Sequence, residues 1–211
     1  MSAAKTAAER AELTRGVSAE RAATLARRLA DATRAFERER FGEARRMLRP
    51  LAERAPGAAG VRELHGLTLY RLGKWRDAVR ELEAFRAMTG STEQHPVLAD
   101  CYRALGRWAE VEQLWEELRA SSPRAELVAE GRIVAAGARA DRGDLRAAIA
   151  VLGPCDRPVK RPRDHHLRLW YALADLYERA GEMPVARQLF GRIATVAPDF
   201  ADASARRRAL H

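Results

Sequence analysis

The sequence contains few cysteines, lysines and aromatic residues. Its 211 residues include two cysteines, Cys101 and Cys155, too few for the disulfide framework of a small secreted domain. Three of its 38 basic residues are lysines, so 38 − 3 leaves 35 arginines. Aromatic residues make up 6% of the chain and hydrophobic residues 47%. A core is therefore possible, but alanine and leucine must fill much of it.

Long apolar runs are also absent. Nowhere do about 20 apolar residues follow one another, as a membrane-spanning helix requires. The N-terminus, MSAAKTAAERAELTRG, is charged and has no apolar stretch of the kind found in signal peptides. We therefore expect no membrane insertion and a cytoplasmic location.

Motifs that would indicate catalysis are missing as well. The chain has no glycine-rich phosphate loop, no HExxH, no paired CxxC and no nucleophile elbow. His165 and His166 are adjacent and would point in different directions on a regular element, and Cys155 stands at no common zinc spacing. We expect no catalytic residues, no metal site and no cofactor, and we place both histidines in a solvated loop.

The charge balance does not identify a partner. A formal charge of +9 could attract nucleic acid, an anionic membrane or an acidic protein, because a basic field concentrates any polyanion. Arginine and alanine also favour solvated helices on which arginine pairs with glutamate one turn away. This second interpretation is the favoured one.

The chain repeats a pattern. RLGKWRDAVRELEAF at 71–85 is followed by ALGRWAEVEQLWEEL at 104–118. The two tryptophans belong to a series with intervals of 34, 33, 37 and 38 residues: Phe41, Trp75, Trp108, Leu145 and Met183. Apolar residues recur three and seven positions after each member of the series. Such a period predicts stacked helical units.

Each unit has the features of a helical hairpin. Small residues that allow two helices to approach stand nine positions before the series: Ala32, Gly66, Ala99, Ala136 and Ala174. Glycines suited to positive φ mark the turn in four copies: Gly73, Gly106, Gly143 and Gly181. Glu39 takes this place in the first copy. Ser122 before Pro123 is typical of a helix start.

The pattern resembles the tetratricopeptide repeat (TPR) family over about residues 24–198. The clearest copy, WYALADLYERAGEMPVARQLFGRIATVAP at 170–198, matches the family at these positions: Trp170, Leu173, Ala174, Tyr177, Gly181, Ala186, Phe190 and Pro198. The resemblance implies an all-α, right-handed superhelical array of about five hairpins. We expect residues 1–18 to form a tail or frayed helix and 19–211 the repeat domain. DFADASARRRALH should supply a C-terminal capping helix.

The fourth copy departs from the family. Arg139 replaces the usual tyrosine, and the second helix ends early at VLGPCDRP. The additional residues predict a basic loop at 153–166. A possible anion-binding set lies there: Arg157, Lys160, Arg161 and Arg163. An ordinary basic linker is the favoured alternative, because no aromatic residues alternate with the charges.

The resemblance implies that one face of the first helices forms a concave groove that meets the partner. The candidate residues of that groove are Leu29, Thr33, Phe36, Glu63, Leu67, Tyr70, Arg71, Asp100, Arg103, Ile133, Asp141, Tyr171, Asp175, Glu178 and Arg179. Apolar side chains alternate there with both signs of charge, which suits an amphipathic helix or an extended segment. The family's clamp for carboxylate-terminal tails is not recognisable at the matching positions.

We therefore predict a non-enzymatic scaffold that binds a helical or extended segment of another protein. The alternative is an RNA- or ribosome-associated basic helical repeat protein. Self-association through an exposed terminal seam is a further possibility. Interleaved acidic and basic residues on the second helices would favour a protein partner, whereas an unbroken arginine stripe would favour RNA.

Overall fold

The structure is a computed structural model that describes residues 19–121 and 124–210. Within these residues all regular secondary structure is helical, and none of the described helices is long and apolar enough to cross a membrane. The segment 1–18 and the helix start expected at Ser122 and Pro123 lie outside the described residues. The chain divides into two compact units, residues 1–106 and 107–211.

Unit 1, residues 1–106, contains five described helices in which each packs on the next. The helices are α1 (Ala19–Glu37), α2 (Phe41–Arg54), α3 (Ala59–Arg71), α4 (Trp75–Thr89) and α5 (His95–Ala104). Leucine and alanine at helical spacing fill the seam between α1 and α2, because those positions share one face of each helix. The core there includes Leu25, Leu29, Ala32, Ala44, Leu48, Leu51 and Val61.

Unit 2, residues 107–211, contains six described α-helices. They are α6 (Trp108–Ala120), α7 (Ala125–Asp141), α8 (Leu145–Leu152), α9 (Asp164–Arg179), α10 (Met183–Val196) and α11 (Ala203–Ala209). α6 packs on α7 through Trp115 and Leu118, and α11 packs on α10. The main core contains Leu152, Trp170, Leu173, Phe190 and Ile193.

Each member of the repeat series is the first residue of a second helix. The turn before it has the expected positive φ, +66° at Gly73 and +83° at Gly181. Glu39 has a φ of +57° in the first copy, so the backbone keeps the same turn although a side chain makes it costlier. The bonds from the amide of Lys74 to the carbonyl of Leu69 and from Arg40 to Ala35 close equivalent turns.

Gly66 shows why the first helix needs a small residue at its contact point. A Cβ at Gly66 would lie 2.6 Å from Cγ of Leu82 and 3.3 Å from its backbone nitrogen. Because Leu82 is buried in α4, the neighbour has little room to move. The close approach of helices predicted from the small-residue series is confirmed at this position.

The basic loop is shorter than predicted. Gly153–Cys155 forms a 3₁₀ turn and α9 begins at Asp164, which leaves residues 156–163 without helix. The interpretation of His165 and His166 as loop residues was therefore wrong, because both belong to the first turn of α9. His166 Nδ1 accepts a hydrogen bond from the Arg163 amide at 3.0 Å, which ties the helix start, and His165 is buried.

Candidate functional site: the faces of the first helices

Six of the predicted groove residues lie together in unit 1, on its three first helices. We call this set the unit 1 face: Phe36 on α1, Leu67, Tyr70 and Arg71 on α3, and Asp100 and Arg103 on α5. Arg71 is 45% exposed, and the other five are half-buried. Leu29 and Glu63 were expected on this surface but are buried. Leu29 packs into the core between α1 and α2, because its phase on α1 turns it inward.

A polar network joins α3 and α5 across this face. The Tyr70 hydroxyl donates to Asp100 Oδ2 at 2.9 Å, and Arg103 donates to Asp100 Oδ1 at 3.4 Å. The Tyr70 ring packs edge-on against Trp75, with 5.5 Å between centroids. The tyrosine is therefore held from both ends, and its ring position is fixed before any partner binds.

Burial raises the pKa of the neighbouring Cys101 thiol to about 12, and the charge of Asp100 raises it further in the same direction. A thiol with this pKa remains protonated at neutral pH. Cys101 is therefore a small apolar core residue beneath the unit 1 face, with none of the thiolate character that a nucleophile needs.

Arg71 joins the end of α3 to the turn between α1 and α2. Its guanidinium donates to Glu39 at 3.2 Å and lies 4.3 Å from the centroid of the Phe41 ring. Phe41 in turn contacts Phe36 edge-on at 5.4 Å. The ion pair is exposed on both sides, at 45% and 73%, so its net stabilisation is below about 1 kcal/mol. The Arg71 guanidinium can therefore leave Glu39 at little cost.

In unit 2 we call Tyr171, Asp175 and Arg179 of α9 the unit 2 face. The other predicted groove residues of this unit are Glu178 on the same helix and Ile133 and Asp141 on α7. Arg206 of α11 reaches two residues of the unit 2 face. It donates to Asp175 at 2.9 Å and to the Tyr171 hydroxyl at 3.3 Å, and it also donates to Glu178 at 2.6 Å. The Arg206 guanidinium lies 4.5 Å from the centroid of the Phe190 ring.

The rest of the unit 2 face is also engaged. The Tyr171 hydroxyl donates to Asp202 at 2.6 Å, and Arg179 donates to the carbonyl of Ala140 at 3.5 Å. Burial alone would lower the pKa of Arg206, but its hydrogen bonds to Tyr171, Glu178 and Asp175 outweigh burial and raise that pKa above its usual value. The C-terminal helix α11 and the residue before it therefore form hydrogen bonds to two of the three residues of this face, Tyr171 and Asp175.

The sequence interpretation missed the role of Arg206, although a signal for it exists. Asp202 stands 19 residues after Met183, as Gln94 stands 19 residues after Trp75. Both precede a helix and both bond a residue 31 positions earlier: Gln94 donates to Glu63 at 2.9 Å, and Asp202 accepts from Tyr171. In this register Arg206 occupies the position of Leu98. α11 therefore stands where the first helix of a sixth repeat would begin.

The predicted anion-binding residues lie on or beside the segment 156–163. The side chains of Arg157, Lys160 and Arg161 are exposed, and none of them has an ion-pair partner in the described part of the chain. Arg163 lies 3.7 Å from Glu126. Over residues 19–121 and 124–210, no three His, Cys, Asp or Glu side chains form a group that could hold a metal ion.

Known structures share this architecture. A thermophilic TPR protein from Thermus thermophilus, TTC0263, superposes with a TM-score of 0.63 at 18% identity, over 88% of this chain and 98% of that one. The chain has the tetratricopeptide repeat fold. YrrB, a TPR protein with an unusual peptide-binding site, gives a TM-score of 0.52 at 14% identity, over 86% of this chain and 90% of that one. The TPR fold predicted from the sequence is therefore confirmed.

A third similar structure is the apo form of the quorum sensor NprR from B. thuringiensis, with a TM-score of 0.65 at 14% identity. The likeness covers 95% of this chain and 62% of that one. No family model and no curated protein matches the sequence. The TPR relationship of this chain therefore rests on its fold and its repeat pattern.

Proposed function

We propose that the chain is a non-enzymatic scaffold whose unit 1 face binds a helical or extended segment of another protein. The observation that carries this proposal is the arrangement of three first helices that expose Phe36, Leu67 and Tyr70 beside charged groups of both signs. The half-exposed apolar groups would supply anchors, and Arg71, Asp100 and Arg103 would fix the register of the bound segment. A single repeat domain over 19–211 and a cytoplasmic location belong to the same proposal.

The distribution of charge on the second helices α2, α4 and α6 supports a protein partner. The second helices α2 and α4 together carry seven arginines and five acidic residues, and α6 carries four glutamates and one arginine. Many of these arginines face a carboxylate, as in the pairs Arg49–Glu53 and Arg86–Glu83. Acidic groups that interleave with arginine in this way repel a phosphate backbone. The peptide-binding site of YrrB, a protein of the same fold, adds support.

RNA binding is the second candidate function. The exposed side chains of Arg157, Lys160 and Arg161, without ion-pair partners in the described residues, are the observation that favours it. These three charges lie on one short segment and could contact phosphates.

Self-association would be detected as an increased mass in light scattering.

The test is affinity capture of the tagged full chain from its native cell, with and without nuclease. A Leu67→Arg variant places a charge at the centre of the unit 1 face. Met88→Arg is the matched control, because Met88 is 45% exposed on α4 and lies outside that face. We expect a protein partner that resists nuclease and is lost with Leu67→Arg but kept with Met88→Arg. A partner lost only on nuclease treatment would overturn the scaffold proposal in favour of RNA.

A further inference from the structure

A cavity of about 550 Å³ opens on unit 1 between α2 and α4. Arginines and carboxylates line it together with a few apolar groups, and none of its residues belongs to the unit 1 face. The lining consists of Arg45, Arg49, Ala52, Glu53, Pro56, Arg62, His65, Leu69, Asp77, Arg80 and Glu81. Its volume falls in the range of about 300–1,000 Å³ that is usual for small-molecule sites.

The buried part of the cavity is built around the Glu81 carboxylate. Glu81 is 3% exposed and accepts hydrogen bonds from Arg62 at 2.6 Å and from Arg80 at 3.2 Å. Burial by itself would raise its pKa, but the neighbouring His65 and Arg62 outweigh burial and lower that pKa to about 2. This carboxylate is therefore ionised and already satisfied by its own arginines, so it offers little to a cation.

His65 leaves an unsatisfied polar atom at the same depth. Its side chain is 6% exposed, and Nδ1 lies 3.7 Å from Glu81 Oε2, beyond hydrogen-bonding distance. Nδ1 is buried and has no hydrogen-bond partner. Buried polar atoms without a partner are uncommon in folded proteins, so each one calls for an explanation, such as a bound water or ion.

The rim carries positive charge that a ligand could use. Arg45 has no ion-pair partner among the described residues. Arg49 pairs with Glu53 at 3.3 Å with exposures of 73% and 65%, and Arg80 pairs with Asp77 at 3.3 Å with exposures of 66% and 44%. Exposed pairs of this kind contribute about 0–1 kcal/mol each, so they can give way to a stronger anion.

The charges that line the cavity favour an anionic ligand. The cavity has four guanidinium groups, from Arg45, Arg49, Arg62 and Arg80, against three carboxylates, from Glu53, Asp77 and Glu81. The excess of one positive charge lies at the rim, where Arg45 is unpaired. Guanidinium groups bind phosphate and carboxylate oxygens in a two-pronged geometry.

We propose that this cavity binds a small organic anion whose phosphate or carboxylate headgroup is held by Arg45, Arg49 and Arg80. The apolar surfaces of Ala52, Pro56 and Leu69 would contact the body of the ligand. This site is independent of the unit 1 face and would give the scaffold a small-molecule input separate from its protein partner.

The test is isothermal titration calorimetry of the full chain with phenyl phosphate and with benzoate at pH 7.5. The variant Arg45→Gln removes the unpaired guanidinium, and Arg46→Gln is the matched control. Arg46 is the next residue on α2, is exposed, and does not line this cavity. We expect one or both probes to bind the wild type. Arg45→Gln should weaken binding about tenfold, the effect of losing one charged hydrogen bond, and Arg46→Gln less than about twofold.

The two probes distinguish the sources of the headgroup. Tighter binding of phenyl phosphate would assign the site to phosphate monoesters, and tighter binding of benzoate would assign it to carboxylates. The proposal is overturned if neither probe binds the wild type, or if both variants weaken binding equally, because a diffuse basic field would do that. Thermal unfolding of both variants checks that the fold is intact, and Leu67→Arg should leave the affinity for both probes unchanged.

Discussion

The helices α3 and α9 are first helices that hold the same positions of the repeat but present different chemistry. Where α3 has Leu67 and Tyr70, α9 has Asp175 and Glu178 at the same distances before Trp75 and Met183. The next first helix in the repeat order also changes from apolar to charged. At one equivalent position α5 has the buried Leu98, whereas α11 has Arg206.

The consequence of this difference is that the two faces offer a partner different groups. On α9 the guanidinium of Arg206 gathers Asp175, Glu178 and the Tyr171 hydroxyl, and its own exposure is 20%. On α3 the apolar Leu67 stays half-exposed, and Tyr70 is half-buried with its hydroxyl bonded to Asp100. The helix that follows a first helix therefore affects how far the face of that helix is occupied by the chain itself: α11 engages three side chains of α9 through Arg206, whereas α5 leaves Leu67 of α3 half-exposed.

The largest effect is expected from removing the residue that closes the unit 2 face. Arg206→Ala should destabilise unit 2 by about 3 kcal/mol, because it leaves Asp175 and Glu178 without their shared partner and removes the stacking on Phe190. The measurement is urea denaturation followed by circular dichroism. Arg208→Ala, an exposed arginine on the same helix, should change the free energy of unfolding by less than about 0.5 kcal/mol. If Arg206→Ala and Arg208→Ala changed the free energy of unfolding equally, the contacts of Arg206 with α9 would not stabilise unit 2.

A pH effect on the order of 3 kcal/mol is expected in unit 1. The pKa of Glu81 is lowered from 4.5 to about 2, so the ionised form stabilises the folded state fully above pH 4.5. This contribution should be lost as the pH falls from 4.5 to 2. Urea denaturation at several pH values, with hydrogen exchange of the α4 amides as a local readout, would measure it.

Glu81→Gln is the control for that titration, because glutamine cannot ionise. The variant should be less stable than the wild type at pH 7, and its stability should change less between pH 4.5 and 2. If the free energy of unfolding depended on pH equally in the wild type and in Glu81→Gln, the pH dependence would come from other carboxylates.

A smaller effect is expected when the small residue of α3 is replaced by the residue that α9 has at the equivalent position. Gly66 in α3 has the register position of Ala174 in α9. Gly66→Ala should nevertheless destabilise the protein by about 1–3 kcal/mol, because the new Cβ would meet Leu82 at 2.6 Å. Gly42→Ala in α2, where a Cβ has nothing within 4 Å, should be neutral or stabilising by up to about 1 kcal/mol. Thermal unfolding measures both, and a more stable Gly66→Ala would contradict the close packing of α3 on α4.

The smallest effect is expected at the Tyr70 hydroxyl. Tyr70→Phe removes the hydrogen bond to Asp100 at 2.9 Å and should destabilise unit 1 by about 1 kcal/mol. Asp100 retains its contact with Arg103, so the face should keep its structure. Chemical denaturation gives the free energy. A loss above about 3 kcal/mol would mean that the network holds the face together as a unit.

The repeat pattern was sufficient to predict the fold. Small and apolar residues recur at the same spacing in every copy, and turn glycines recur in four of the five copies. The helical hairpins and the turns within them could therefore be located from the sequence. Even the substitution of Glu39 for glycine left the turn in place, since the surrounding helices dictate its φ.

The faces could be predicted only in part, because side-chain contacts depend on helix phase and on neighbours that are distant in sequence. Leu29 was predicted to be exposed but is buried, because an error of one residue in helix phase turns a side chain by about 100°. The contacts of Arg206 with α9 span 28 to 35 residues, and the cavity around Glu81 gathers residues of three helices. Neither the Arg206 contacts nor the cavity corresponds to a local sequence motif.

The most direct test compares the same residue type at the same repeat position in the two faces. Arg71 and Arg179 are 45% and 44% exposed, and each stands four residues before the second helix that follows it. Arg71→Glu and Arg179→Glu therefore change the net charge equally. The affinity of the captured partner's binding segment for both variants, measured by fluorescence anisotropy, should fall at least about tenfold for Arg71→Glu and less than about twofold for Arg179→Glu. Equal losses, or a larger loss for Arg179→Glu, would contradict the assignment of binding to the unit 1 face.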